Sequence, residues 1–299
     1  MTPNDFTTIR DLLRYAVSRF NGAKLFFGHG SINAFDEAAY LILHTLKLPL
    51  DKLEPFCDAK LLPDEIQSVL GVLERRVTER VPAAYLTNEA WLGEYRFYVD
   101  ERVIVPRSFI AELIPEQFAP WVGDPDGVEN ILELCTGSGC LPIMMADAFP
   151  AARIDAVDIS PDALAVARRN VDDYALQDRI TLFESDLYDK LPQKKYDLII
   201  TNPPYVNSGS MSKLPPEYLR EPQIALAGGD DGMDLVRRIV AGAAGRLTKN
   251  GILMVEIGNE RNFAEAAFPD LELTWISTSA GDDMVFLLHA DQLAGYNKQ

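Results

Sequence analysis

From residue 131 onward short apolar runs alternate with amphipathic stretches, and this alternation restricts the fold more than any other feature. The apolar runs are Ile131 to Leu134, Arg153 to Asp158, Ile180 to Phe183, Asp197 to Thr201, Ile252 to Ile257, Leu271 to Ile276 and Met284 to Leu288; helical patterns cover 141–149, 161–173, 233–247 and 260–267. Parallel strands need long crossovers, which helices supply. The alternation therefore predicts an α/β fold with a doubly wound, mostly parallel seven-stranded sheet, whose ligands sit at the carboxyl ends of the strands.

The first 80 residues read differently. Ile9, Leu12, Leu13, Ala16, Val17 and Phe20 share one helical face, Ser31 or Asn33 followed by Asp36 and Glu37 starts a second helix, and "LPDEIQSVLGVLERRVTER" makes a third. Residues 1–80 are thus expected to form a small helical domain. His29, between two glycines, is either a ligand or base or a turn contact, and with no acidic or sulfur partner nearby a turn contact is favoured. Over 81–108 the period changes to two. Trp91-Leu92 and Tyr95 to Val99 flank Gly93-Glu94 as a β-hairpin, and Val103-Ile104-Val105 reads as a further strand before Pro106. This stretch is expected to connect the helical domain to a sheet domain over 109–299.

Two loops carry the chemistry. In "NILELCTGSGCLPIMMADAF", Gly137 and Gly139 permit a tight turn at a helix start, where backbone amides can approach a phosphate, a carboxylate or a ribose edge. NAD binding requires G-x-G-x-x-G, and Pro142 stands where the third glycine belongs. Asp158 lies 19 positions beyond Gly139, where a carboxylate can accept hydrogen bonds from ribose hydroxyls, so the pair indicates a nucleoside. Asp186 could contact an adenine amine or cap a turn. Glu133, inside the first strand, is costly to bury unpaired and could reach a cationic cofactor or cap the loop after it.

The second loop, "YDLIITNPPYVN", ends a strand in residues that can continue neither as strand nor as helix. A nucleoside site followed by Asn202-Pro203-Pro204-Tyr205 is the pattern of S-adenosylmethionine-dependent methyltransferases that act on a planar nitrogen. Such a nitrogen is a poor nucleophile, since its lone pair is delocalised with a conjugation scale of about 18–20 kcal/mol in an amide. If the Asn202 side-chain oxygen and the Pro203 carbonyl each accept one N–H, they favour the pyramidal geometry in which the lone pair is free to attack. Tyr205 offers a flat face for stacking.

Charge and cysteine usage exclude several classes. The formal net charge is −17, and its distribution is uneven: residues 1–80 hold 10 Lys/Arg against 11 Asp/Glu, residues 81–299 hold 18 against 34. A field of −16 over the second part repels bare nucleic acid and attracts basic proteins or cationic small molecules, though taken by itself an acidic surface is more often only a solubilising one. Three cysteines without a C-x-x-C pair and three scattered histidines argue against a disulfide scaffold and a metal site. No stretch has the length of a membrane span and the N-terminus lacks a signal-peptide core, so a reducing cytoplasm is expected.

Five stretches, "YLTNEAWLGEYRFYVDERVIVPRS", "ELCTGSGC", "AVDISPDALAVARRN", "YDLIITNPPYV" and "EPQIALAGGDDGMDLVRRI", together resemble the protein-glutamine N5-methyltransferases. Within them "VSRFNGAKLFFGHGSINAFDEAAYLIL", and Ser108 where the release-factor branch has proline, resemble the branch that modifies large-subunit ribosomal protein three. The resemblance implies a class I S-adenosyl-L-methionine-dependent fold, a helical domain that recognises substrate, and a basic ribosomal protein as partner. It implies a cofactor loop at Cys135, Thr136, Gly137, Ser138 and Gly139 beneath Glu133, a ribose carboxylate at Asp158 beside Ile159, and adenine-side contacts at Asp186 and Leu187. A glutamine clamp follows at Asn202, Pro203, Pro204 and Tyr205, with Asn202 also near the cofactor. Read from their loop alone, Glu221 and Pro222 either line the substrate pocket or are purely structural. Cys135 stands where the family has glycine. The long loop 206–230 is expected to close over the substrate. An adenine N6 methyltransferase or a release-factor methyltransferase is the nearest alternative, followed by a catalytically silent assembly factor and an NAD oxidoreductase.

Overall fold

The computed structural model describes residues 6–296. The chain forms two compact units, one of residues 1–90, 99–101 and 214–220, the other of 91–98, 102–213 and 221–299.

The helical unit contains α1 (Ile9–Gly22), α2 (Ala34–Thr45), α3 (Pro63–Thr78) and a short α4 (Ala83–Thr87). Each long helix starts on a local carboxylate or amide. Asp11 accepts the N–H groups of Thr7 and Thr8 while Thr8 caps Asp11, Asn33 caps Asp36, and Glu65 accepts from Leu62 before Pro63. The expected face of α1 is buried except for Val17, which is half-buried, and it packs with Leu41, Ile42, Val69 and Leu73. The stretch after residue 80 does not alternate as expected. Val81 to Tyr85 are buried without interruption, so 83–87 coil into α4, which ends at Asn88 in the left-handed region.

The hairpin forms as read, from β1 (Ala90–Leu92) and β2 (Tyr95–Phe97) about Gly93 at φ 59°. Val103 to Val105 is not a strand. Its backbone is met by side chains instead, Val105 donating to Glu221 at 2.9 Å.

In the second unit β3 (Asn130–Leu134), β4 (Arg153–Asp158), β5 (Ile180–Glu184), β6 (Tyr196–Thr201), β7 (Leu247–Glu256), β8 (Thr274–Thr278) and β9 (Gly281–His289) form one sheet in the order β5-β4-β3-β6-β7-β9-β8. β9 runs antiparallel to both its neighbours, and the other pairs are parallel. Its helices are α5 (Cys140–Ala148), α6 (Pro161–Asp173), α7 (Ser208–Met211), α8 (Asp234–Ala243), α9 (Arg261–Ala267) and α10 (Ala290–Leu293). Successive strand residues feed two separate cores, Ile131 one and Leu132 and Leu134 the other, as a parallel sheet covered on both faces requires. α8 ends before the expected residue 247 because the Arg246 carbonyl already accepts from Tyr196, which draws β7 into the sheet early. β8 starts later than expected, since Leu271 and Leu273 are spent as side-chain packing. Among the described residues no helix is long and apolar enough to cross a membrane.

Candidate active site

The chain passes from β3 outward to β4 and β5, then crosses back to β6 on the other side of β3. The reversal opens a crevice at the carboxyl ends of β3 and β6, where ligands of such sheets bind. Leu134 and Thr201 are register partners, so the two loops singled out in the sequence leave the sheet side by side. The buried Thr201 hydroxyl donates to the Leu134 carbonyl at 2.9 Å and ties them together.

The glycine loop folds around Asp158. Its two carboxylate oxygens accept the N–H of Gly137 and of Ser160, each at 2.9 Å. Burial raises the Asp158 pKa against the pull of these N–H groups. Cys135 takes φ 62° and Gly137 φ 53°, which explains why a glycine suits the first of these positions and shows that the cysteine bears the strain. Gly139, at φ 78°, serves packing: a Cβ there would lie 3.2 Å from Ala167 Cβ of α6. The close helix approach is thus met one turn before Pro142. Glu133 is buried, and its Oε2 has no hydrogen-bond partner among the described residues. Burial, reinforced by the negative charge of Asp158, raises its pKa well above the ordinary carboxylate value.

A cavity of ≈ 340 Å³ brings Cys135, Gly137, Asp158, Ile159, Asp186, Leu187, Asn202 and Pro204 together. Glu133, Thr136, Ser138 and Gly139 do not line it; they lie beneath as support, Ser138 through its carbonyl, which accepts from Asn170 at 2.8 Å. Glu221, for which the sequence leaves a pocket role and a structural role both open, does not line the cavity. It is buried, and its carboxylate accepts from Val105 N and both terminal nitrogens of Arg107 at 2.5–2.9 Å, so it seats the loop that carries it.

Pro203 is buried and Tyr205 half-buried, and neither lines the cavity. Tyr205 is enclosed by glycines from two other segments. A Cβ on Gly228 would stand 2.7 Å from Tyr205 Cα, one on Gly232 2.2 Å from its carbonyl oxygen, and one on Gly258 2.6 Å from its Cε2. Backbone bonds from Val206 to Leu226 and from Gly228 to Val206, both at 2.9 Å, hold the two sides of loop 206–230 together.

The sequence reading missed several wall residues: Val103 and Ile104, Ile224, Ala225 and Ala227, and Arg238 on α8. Arg238 pairs with Asp186 at 2.9 Å. The signal was present in "GGDDGMDLVRRI", where clustered glycines and a following helix start mark a loop that approaches another backbone closely.

The family model of the methyltransferase small domain matches residues 124–218. The ribosomal protein uL3 glutamine methyltransferase of Burkholderia pseudomallei is 64% identical over 299 residues, covering 98% of this chain and 97% of that protein. The protein of the same name from Bordetella pertussis is 60% identical, covering 97% of each. Among solved structures the hMettl16 catalytic domain, crystallised with MAT2A 3'UTR hairpin 1, superposes with a TM-score of 0.50 at 17% identity over 85% of this chain and 90% of that chain, a likeness of fold alone. With relatives this similar along nearly its whole length, the chain belongs to the family of ribosomal protein uL3 glutamine methyltransferases.

Proposed function

We propose that this chain transfers a methyl group from S-adenosyl-L-methionine to the side-chain amide nitrogen of a glutamine in ribosomal protein uL3, leaving S-adenosyl-L-homocysteine. The observation that carries it is the convergence on one cavity of Gly137 from the glycine loop, Asp158 from the end of β4, and Asn202 and Pro204 from the second loop.

The residues suit the cofactor. Leu187, Val157 and Ile159 give the cavity apolar walls for a purine, and Asp158 gives an acceptor for ribose hydroxyls. Glu133, buried beneath the glycine loop with its Oε2 unpartnered, would be favoured in its charged form by a cation brought close when the site is filled. Bound there, the cofactor supplies an electrophilic methyl group on a sulfonium sulfur. The chain's own task is to make the amide nucleophilic. The Asn202 side-chain oxygen and the Pro203 carbonyl each accept one amide N–H, bonds that strengthen as positive charge develops on nitrogen. Tyr205 supports the flat amide, and once alkylated the nitrogen is acidic enough to lose its proton to water.

The −16 charge of residues 81–299 favours capture of a basic ribosomal protein over nucleic acid. Such a substrate, free or within an assembling particle, places the work in the cytoplasm. Incubation with methyl-labelled cofactor and ribosomal proteins from a strain lacking the enzyme, followed by peptide mass spectrometry, is expected to find label on one glutamine of uL3. Label on nucleic acid, or on a release factor in preference to uL3, overturns the assignment.

A further inference from the structure

Two polar side chains one turn apart reach from α6 to the hairpin: Asn170 on the helix and Tyr174 just past its end. The Tyr174 hydroxyl accepts the N–H of Arg96 and donates to its carbonyl, both at 3.0 Å. The Asn170 amide repeats the grip two residues on, its Oδ1 accepting from Tyr98 N at 2.8 Å and its Nδ2 donating to the Tyr98 carbonyl at 3.0 Å. Residues two apart in an extended chain turn their backbone groups to the same side, so this edge is met by a helix face where a further strand could have paired. Asn170 does one thing more. It is buried, and its second N–H goes to the Ser138 carbonyl at 2.8 Å.

That bond falls on the glycine loop. Cys135, Gly137 and Gly139 all take positive φ, and for the cysteine such a backbone persists only when its surroundings over-determine it. The Thr136 N–H goes to the Val157 carbonyl and the Gly137 N–H to Asp158, each at 2.9 Å, so β4 holds the first half of the loop. The peptide between Ser138 and Gly139 is held at both ends, its N–H by the Thr136 carbonyl at 2.9 Å and its carbonyl by Asn170. Ala167, one turn before Asn170, occupies the space that a side chain on Gly139 would need. Loss of the Asn170 donor would leave the carbonyl of the buried Ser138 short of a partner and free this peptide to turn. A side-chain amide supplies the acceptor and the two donors that the three bonds require.

We propose that Asn170 is a positioning residue of the glycine loop: by holding the Ser138–Gly139 peptide it keeps Cys135 and Gly137 in the conformation in which they line the cavity. Its effect on the cofactor rests on the function proposed above; its hold on the loop does not.

The test follows two readouts in the full-length protein, hydrogen exchange of the amides at 135–139 and affinity for S-adenosylhomocysteine by calorimetry. Asn170→Asp keeps the shape and the acceptor and removes both donors. Asn170→Ala removes all three bonds without burying a charge, and decides the matter where the aspartate variant does not fold. Each is expected to exchange the loop amides roughly tenfold faster and to bind S-adenosylhomocysteine about tenfold more weakly well below its unfolding midpoint, with turnover at saturating cofactor kept. Val171→Ala, at the next position on α6, removes core volume and none of these bonds; it should lower the unfolding midpoint and match wild type in both readouts. Unchanged loop exchange in the Asn170 variants overturns the proposal, and so does an equal loss in Val171→Ala, which would mark a general loosening of the helix. Faster exchange with unchanged affinity overturns the link from loop to cofactor. If the wild-type protein itself does not bind S-adenosylhomocysteine, the proposed function fails, and loop exchange alone then decides the role of Asn170.

Discussion

On its glycine-loop side the cavity is lined by carboxylates, Asp158 and Asp186, with Glu133 buried beneath; on the clamp side Asn202 and Pro204 line it and Tyr205 is held by three glycines. The first side works by charge and the second by shape. Electrostatics suits the part that must attract and retain a cationic nucleoside, because a carboxylate tolerates small errors of distance. Shape suits the part that must aim a lone pair, since orientation is lost with a shift of a few tenths of an ångström. Each half accordingly predicts a different kind of failure, charge removal weakening binding and added volume slowing turnover.

A carboxylate on the clamp side offers the largest contrast. Glu256, at the end of β7, does not line the cavity; it is buried and accepts from Ser108 Oγ at 2.6 Å and Phe109 N at 2.8 Å. Burial pushes its pKa up to about 7 despite these donors. Between the ordinary 4.5 and about 7 the unfolded chain releases this proton while the folded chain keeps it, so stability falls as pH rises through that window. Glu256→Gln, which mimics the protonated form, is expected to gain about 3 kcal/mol on wild type between pH 4.5 and pH 8, measured by denaturant unfolding. Parallel stability curves for the two proteins would show that Glu256 is not the group that titrates.

For Asn202→Ala the expected loss is on the order of a hundredfold or more in turnover, comparable to removing one oxyanion donor, with cofactor affinity kept. Asp158→Ala should do the reverse. Cofactor affinity falls on the order of thirtyfold, the equivalent of losing hydrogen bonds to a charged acceptor, while turnover at saturation changes less. Calorimetry beside single-turnover methyl transfer separates the two, and a mutant of either kind that fails in the other's manner breaks the division between charge and shape.

The sheet was legible because strand and helix periods differ, and the strands β3, β4 and β6 fell where apolar runs predicted them. Asp158 and Asn202 could be named because a carboxylate after a second strand and an Asn-Pro-Pro-Tyr corner are local in the sequence. What could not be read was long-range. Val103 to Val105 has the composition of a strand, yet Glu221, more than a hundred residues away, takes its N–H. Residues 83–87 show no alternation because all sides of Ala83 to Tyr85 are covered, a fact of tertiary packing. The sequence left a pocket role and a structural role for Glu221 equally open, because its partner Arg107 lies 114 positions away.

Gly258 tests the shape side with one added methyl group. It lies just past β7 at φ 53°, and Tyr205 Cε2, Cζ and Oη would all fall within 3.1 Å of a Cβ there. Gly228 and Gly232 crowd the Tyr205 backbone, where a Cβ would collide with main chain that cannot yield without displacing the whole Asn-Pro-Pro-Tyr corner. The three atoms nearest a methyl at Gly258 all belong to the ring, which can swing aside. Gly258→Ala is therefore expected to fold, with a penalty of about 1 kcal/mol for its left-handed backbone. Turnover should fall about tenfold, the scale of a misplaced positioning group, with unchanged affinity for S-adenosylhomocysteine. The same loss in a Tyr205→Ala background would mean that the glycine acts elsewhere; absence of any further loss there would show that Gly258 acts through the ring.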